Sequence, residues 1–399
     1  MPRALIIGSG VAGPAVALFL RRTGWDVEIF EAAEVPDPYA GLFLNVATNG
    51  LAVLHELGLR DRLVTEAHRA PNMVMWSSTG RELGTVPNGP AGQPARGSVV
   101  VRRGILHRVL REAVQEAGIP IRFGARLERI EQTDASVRAI FADGRTATGD
   151  LLIGADGVGS PTRRHIDADA PVPAYSGLVG LGGFAHVPGL APTPDAQHMV
   201  FGRRSFFGYL VRDDGEVYWF ANITRPAADR GALRAVGAGE WLATLRELHA
   251  GDPYPVPQIL EHATGEVGGY PIDDLAHVPH WSRGRVVAVG DAVHAISPSA
   301  GQGASLALED AITLARCLRD VPDHEAAFAE YQRLRQPRAE AVVRYARAIN
   351  RQKRVTKSRI GIAIRDAMLP VFLKRARDDT RNDWLYNHEI AWDAPVSAT

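Results

Sequence analysis

Two periods of apolar residues run along this chain, and the switches between them mark most of its elements. Ala4-Leu5-Ile6-Ile7 is an unbroken apolar run suited to a buried parallel strand, and Ala12, Ala15, Val16 and Phe19 then recur at helical spacing. Residues 26–30 read as a second strand. Helical spacing returns between residues 41 and 67, with Thr48 or Asn49 as N-cap and Gly58 as a stop. It returns again over 104–117, where Leu106, Val109, Leu110 and Val114 form the apolar side. Short strands are predicted across 72–101 and at 121–123, 127–131, 137–142 and 150–154, with Asp143-Gly144 as a hairpin turn.

From residue 175 to about 270 the pattern alternates with period two and is rich in aromatics. Strands at 205–212 and 216–224, joined by Asp213-Asp214-Gly215, predict a separate antiparallel sheet. Phe207, Tyr209 and Val211 share one face of their strand, as do Trp219, Ala221 and Ile223 of the next. Such stripes serve either as core or as the wall of a pocket. Residues 285–289 form another buried-type strand, and Leu308, Ala311, Ile312 and Ala315 follow at helical spacing. Helices are predicted at 323–350 and 358–377, and the basic run 344–377 suits a solvated bridging helix or a membrane-surface helix.

The sequence of elements predicts an α/β fold. A Rossmann-like domain is assembled from 1–71, 98–174 and 271–322, an inserted antiparallel sheet from 72–97 and 175–270, and a C-terminal helical segment from 323–399. The Pro/Gly-rich stretch 87–97 reads as a mobile loop or a crossing between domains.

Composition narrows the partners. Lys+Arg and Asp+Glu each total 45 in 399 residues, so no excess charge holds the chain to nucleic acid or an anionic membrane. The single cysteine, Cys317, rules out an internal disulfide and a cysteine metal cluster. No apolar run reaches membrane-spanning length and no signal-peptide pattern opens the chain, so a cytoplasmic protein is expected. Oligomeric state has no sequence signal here.

Chemistry enters at four strand ends. Gly8-Ser9-Gly10-Val11-Ala12-Gly13 joins the first strand to its helix, and Glu31 ends the second strand, where a carboxylate can bind a ribose diol. Gly154-Ala155-Asp156-Gly157 follows a third strand, with Ser160 as N-cap and Pro161 as first helical residue. Gly290-Asp291 follows a fourth. Beyond it Pro298, Gly301, Gln302 and Gly303 open a helix whose bare N–H groups suit a negative or electron-rich ligand, although such turns also occur as plain connections. Arg102-Arg103 lies at a strand–helix junction and is either solvated or paired with phosphate. Residues 180–185 match the glycine fingerprint formally, but no helix follows and the match is a decoy.

These motifs, in this order, resemble the single-component FAD-dependent aromatic monooxygenases over nearly the whole chain. The resemblance implies that Gly8, Gly10, Gly13 and Glu31 hold the ADP half of non-covalent FAD, with the Leu127 backbone beside adenine and Arg103 near the pyrophosphate. It implies Asn45 beside the flavin, Asp156 serving FAD and a transient nicotinamide cofactor, Asp291 on the ribityl chain, and Pro298, Gly301, Gln302 and Gly303 along the isoalloxazine ring. The implied reaction takes hydride from NADPH or NADH, forms a flavin C4a-hydroperoxide with O2, and hydroxylates a small molecule. No protein side chain serves as nucleophile, and His294 is either structural or a group titrating near neutrality.

Two departures bear on the substrate. Ala32 follows Glu31 where many relatives have arginine, weakening one adenosine contact. Leu181-Gly182 replaces a Trp-Arg pair of many relatives that act on small aromatic acids, which predicts a bulky aromatic or enolic substrate. Its expected pocket residues are Gly182, His198, Val200, Phe207, Tyr209, Trp219 and Phe220. Arg203-Arg204 is the contrary sign, since it can bind a carboxylate if turned inward. Rival readings are a flavin halogenase, opposed by the absence of any lysine before Lys353, a reductase of the geranylgeranyl reductase type without oxygen insertion, and a non-catalytic flavin-binding protein.

Overall fold

The structure is a computed structural model that describes residues 1–35, 42–227, 230–265, 267–353 and 380–396, together with 362, 364, 366–371 and 373. Its central layer is a six-stranded sheet in the order Ser282–Arg283, Val286–Ala288, Leu151–Gly154, Arg3–Ile7, Asp26–Phe30, Ile121–Arg122. All neighbours run parallel except the edge strand Ser282–Arg283. Leu5, Ile6, Leu152, Ile153 and Val287 are fully buried, which is why these strands are apolar without alternation. Helices Ala12–Arg22, Arg103–Glu116 and Gly303–Asp320 share one hydrophobic core with the sheet, through Phe19, Leu106, Leu110, Leu308 and Ile312 among others.

A small antiparallel sheet, Leu127–Gln132, Val137–Phe141 and Thr146–Gly149, extends this layer. Its turn bonds Gly144 N–H to the Phe141 carbonyl at 2.9 Å, with Gly144 at φ 84.

The period-two region forms the larger part of an eight-stranded sheet, with Ala174–His186 at the centre of one side. Residues 180–185 lie inside that strand, so the second glycine fingerprint is a decoy. The sheet is not wholly antiparallel as expected. Asn72–Ser77 joins Ala196–Phe201 in parallel, because these segments meet from distant parts of the chain rather than through a hairpin.

A fourth sheet, Phe43–Val46, Val99–Arg102 and His68–Arg69, sits between the two large ones. Residues 87–97 are the crossing from the eight-stranded sheet to it, and they are held at Asn88, which is buried and bonded through its backbone to Pro71 and Ser98.

Alternation divides the eight-stranded sheet into two faces. On one, Phe207, Trp219 and Val179 pack under Trp241, Leu245 and Ile259 from the helices Ala238–His249 and Val256–Glu261. On the other, Leu210 and Tyr218 pack with Ala70, Val100, Phe43 and Phe184 toward the parallel layer. The C-terminal helix His324–Lys353 runs through an internal Pro337 and packs against the helix Gly303–Asp320. The predicted helix 358–377 lies mostly outside the described residues, and the described stretch 366–371 is helical. Among the described residues no helix is long and apolar enough to cross a membrane.

Candidate active site

Four parallel strands end at one edge of the six-stranded sheet, and each delivers one of the predicted motifs there. Gly8, at φ 105, packs so closely that a Cβ would lie 2.3 Å from the Ala155 carbonyl oxygen, and a Cβ on Gly13 would lie 2.0 Å from the Gly8 carbonyl. Gly10 differs. A Cβ there would meet nothing within 4 Å, so its bareness serves open space rather than packing. Glu31 accepts from Ser9 N–H at 2.7 Å and Ala33 N–H at 2.8 Å, which points its carboxylate at the glycine loop.

Asp156 binds the first turn of the next helix. Its Oδ2 accepts from the backbone N–H of Thr162 at 3.0 Å and the hydroxyl at 2.6 Å, while its Oδ1 is buried without a protein partner. Ser160 and Pro161 act as N-cap and first helical residue as expected, the Ser160 hydroxyl accepting from Arg163 N–H at 2.8 Å. Asp291 is solvent-accessible yet surrounded by protein at the bottom of the cleft. Desolvation there raises its carboxyl above the usual range, opposed by His294 and Arg103. Arg103 begins its helix with its N–H on the Leu42 carbonyl at 2.8 Å. Leu127, nearly buried, starts the strand that follows the Glu31–Ala125 backbone bond.

The loop after Asp291 is framed from three sides. Gly301 is left-handed at φ 61, and Asn45 Nδ2 donates to its carbonyl at 3.1 Å. Asn88 Nδ2 in turn donates to Asn45 Oδ1 and to the Ala70 carbonyl, both at 2.9 Å. Ser297 and Ser299, on either side of exposed Pro298, donate to Asn350 Oδ1 at 3.0 and 2.5 Å. Buried Gln302 accepts from Asn49 Nδ2 at 3.0 Å, leaving its own Nε2 without a protein partner. Thr48 and Asn49 are therefore not caps. The cap position is Ala47, and Asn49 is committed to the loop and to Glu309.

Asn88 and Asn350 carried no signal in the sequence and Asn49 only that of an N-cap, since their partners lie 18 to 260 positions away. Replacing Asn88 by alanine is expected to leave Asn45 Oδ1 and the Ala70 carbonyl without this donor, at a cost of about 1 kcal/mol. The check is thermal unfolding of the purified protein beside its cofactor affinity. A Tm within error of the parent would remove Asn88 from the frame.

Beneath the loop lies a row of buried charge. Asp310 accepts from Gly290 N–H at 2.8 Å, His294 Nε2 at 2.5 Å and Arg335 Nε at 2.8 Å. Glu309 pairs with Arg335 at 2.6 Å and with Arg338 at 2.8 Å. Burial opposes these charges. The Arg335 and Arg338 guanidiniums outweigh it for Glu309, as do His294 and Arg335 for Asp310, and both carboxyls are held down to about 2. The clue in the sequence was an acidic pair on an otherwise apolar helix, Leu306-Ala307-Leu308-Glu309-Asp310-Ala311-Ile312, since acids are seldom fully buried unpaired.

Comparison with known proteins bears directly on this cleft. The FAD binding domain family matches residues 2–346. The chain is similar to 6-hydroxynicotinate 3-monooxygenase of Bordetella bronchiseptica, 32% identical over 86% of this chain and 90% of that one. It is similar to 3-amino-4-hydroxybenzoate 2-monooxygenase of Streptomyces cremeus, 32% identical over 87% of this chain and 86% of that one. The solved structure of Klebsiella pneumoniae HpxO complexed with FAD and uric acid superposes with a TM-score of 0.81 at 25% identity, covering 96% of this chain and 95% of that one. This chain belongs to the FAD-binding monooxygenase family. It is an enzyme that uses FAD, with NADPH or NADH as the hydride donor typical of the family.

FAD suits the residues present in this monooxygenase. The open side of Gly10, the aimed Glu31 carboxylate, and the unpaired Asp156 Oδ1 and Gln302 Nε2 are places that a dinucleotide with sugar hydroxyls and ring acceptors would complete. When bound, FAD supplies the redox chemistry and oxygen activation, and the chain's share is to hold, orient and screen. The N-terminus of the 18-residue helix Gly303–Asp320 favours negative charge next to the framed loop.

The monooxygenase divides the expected pocket residues between the two faces of its sheet. Gly182 and Phe220 pair across neighbouring strands on the face toward Phe43, whose ring centroid lies 6.0 Å from that of Phe220. His198, Val200, Phe207, Tyr209 and Trp219 lie on the opposite face, a correction that follows from strand alternation and register. Phe207 and Trp219 are core under the helices, stacked at 5.8 Å, and His198 Nδ1 is engaged by Trp76 Nε1 and the Tyr209 hydroxyl. Gly182 does not widen the site as expected either. A Cβ there would lie 2.8 Å from Leu42 Cδ1, so Leu42 already fills that space. Arg204 pairs with Glu247 at 2.9 Å on an exposed surface, and Arg203 N–H donates to Asp252, so this pair stays outside the cleft.

Proposed function

We propose that this enzyme hydroxylates an electron-rich aromatic or enolic small molecule, held between the Gly182–Phe220 face of the sheet and the framed loop 297–303. The observation that supports it is the strand Phe43–Val46, which brings the two sides together: Phe43 meets Phe220 while Asn45, two residues on, bonds Gly301. A planar ring stacked on Phe220 gains about 0.5–1.5 kcal/mol beyond area burial. On this reading Gly8, Gly10, Gly13, Glu31 and Leu127 face the ADP half of FAD, Arg103 its pyrophosphate, Asp156 both FAD and the transient nicotinamide cofactor, Asp291 the ribityl chain, and Asn45 with residues 298–303 the ring. The cofactor-binding part then comprises 1–71, 98–174 and 271–322, the substrate part 72–97 and 175–270, and a helical segment 323–399.

The relatives are monooxygenases of 6-hydroxynicotinate and 3-amino-4-hydroxybenzoate, and the similar solved structure holds uric acid. The expectation of a bulkier substrate drew on Leu181-Gly182 and on Phe207, Tyr209, Trp219 and Phe220. With Leu42 over Gly182 and with Phe207, Tyr209 and Trp219 behind the sheet, the size limit passes to Leu42 and Phe220. The substrate we infer is one or two fused rings wide.

The test is a panel of one-ring hydroxy acids, two-ring hydroxyheteroarenes and multi-ring enols, scored by NADPH and NADH consumption coupled to an added oxygen in the product. Coupled turnover should be confined to the first two groups, and Leu42→Ala should move the preference toward larger rings. Coupled turnover of multi-ring enols alone would overturn the size limit. Substrate-dependent reduction without oxygen in the product would favour the reductase reading instead.

A further inference from the structure

Charged groups meet around the Gly290–Asp291 turn. Behind it Glu309 pairs with Arg335 and Arg338 and Asp310 with Arg335, Arg103 acts on Asp291 from the cleft, and His294 stands between Asp291 and Asp310. We propose that His294 is a positioning residue for the cofactor: held as an imidazolium by Asp310, it fixes the Gly290–Asp291 turn and keeps the Asp291 carboxylate charged toward FAD. This rests on the FAD site and is independent of the substrate reading.

The geometry supports it at two points. Asp310 Oδ2 binds both Gly290 N–H, at 2.8 Å, and His294 Nε2, at 2.5 Å, so a single oxygen ties the imidazole to the backbone just before Asp291. The turn needs that restraint, because Gly290 sits at φ 63 and heads a helix of four residues with no side-chain cap. The nearest charges are the second point: the Asp310 carboxylate touches His294 and Asp291 stands on its own turn, so two acids favour an imidazolium between them.

Of the groups facing His294, two carboxylates favour the imidazolium and one guanidinium, Arg335, opposes it. From the helix Gly303–Asp320 comes Asp310, from His324–Lys353 come Arg335 and, through Asp310, Tyr331, and from its own turn comes Asp291. Trp281 covers the ring at 5.6 Å between centroids and adds no charge. Burial works against the imidazolium, and the Asp310 carboxylate outweighs it, so the proton is held above the ordinary range. His294 Nδ1 is buried without a protein partner, so the favourable interaction of the charged ring comes from the Asp310 carboxylate on Nε2. His388, near Glu309, is pushed down to about 4 mainly by burial and contributes no charge at neutral pH.

The experiment is FAD affinity against pH for the intact enzyme, followed by flavin fluorescence, with His294→Gln and Asp310→Asn beside the parent. The parent should bind FAD evenly through neutral pH and weaken in alkali as His294 loses its proton. His294→Gln, which keeps a donor but not a charge, should bind about tenfold more weakly at neutral pH, the worth of one charge-assisted hydrogen bond. It should also lack the alkaline decline. Asp310→Asn should shift that decline toward lower pH, and it serves if the glutamine variant fails to fold. A glutamine variant with parental affinity, or with the parental alkaline decline, overturns the proposal. So does an Asp310→Asn profile superimposable on the parent's.

Discussion

Replacing Arg335 by leucine is expected to cost about 3–5 kcal/mol of stability near neutral pH, the range for removing one partner of a buried ion pair. Arg335 is 1% exposed and is the bridge between Glu309 and Asp310, which are both fully buried. Leucine removes the bridge and leaves two carboxylates to share Arg338 and His294. The pH dependence follows from the sign of the shifts. Both acids titrate near 2 in the folded protein, below their ordinary 4.5 and 3.8, so the stability they contribute is complete above those ordinary values and is lost as pH falls toward 2. Without Arg335 that depression shrinks, and the deficit against the parent should be greatest at neutral pH and smaller in acid. Urea unfolding of both proteins at neutral and acid pH measures it. A deficit below about 1 kcal/mol, as for an exposed pair, would mean that the row is not a buried network.

The same row marks where sequence reading reached its limit. Unbroken runs such as Ala4-Leu5-Ile6-Ile7 and the glycine turns after them were legible because backbone sterics act between residues close in sequence: Gly8 and Gly13 touch each other's neighbourhood within one turn. Asp156 and Asp291 were legible because the strand before each fixes where it emerges. The frame was not. Asn88 reaches Asn45 across 43 residues and Ser297 reaches Asn350 across 53, and neither asparagine differs locally from a loop or helix-surface residue.

The substrate face failed for a different reason. Period-two alternation separates Phe207, Tyr209 and Trp219 from Gly182 and Phe220, but it does not say which face the helices Ala238–His249 and Val256–Glu261 will cover. Leu42 is a third case. It fills the space over Gly182 from just before the strand Phe43–Val46, about 140 residues earlier, so absence of a side chain at Gly182 was read as room that another side chain had already taken.

The Asp291→Ala enzyme should purify folded but poor in flavin, with FAD affinity lower by about one to two decades, or roughly 1.5–3 kcal/mol for one charge-assisted hydrogen bond. Folding should survive because the side chain of Asp291 faces the cleft rather than the core, while Ala292, Val293 and His294 behind it keep the turn packed. Its carboxyl is raised by desolvation at the cleft floor and restrained by His294 and Arg103, so removing it also relieves a cost, and stability should change little. Affinity and stability are therefore expected to separate in this variant, whereas in Arg335→Leu they should fall together. Flavin from the parent should leave on denaturation as free FAD, since the one cysteine is buried in the core at position 317, away from any strand end. Titrating apoprotein with FAD, beside a urea curve of the same preparation, separates the two effects. Parental FAD affinity in Asp291→Ala would take the carboxylate out of the cofactor site and move the ribityl contact to another group of the cleft.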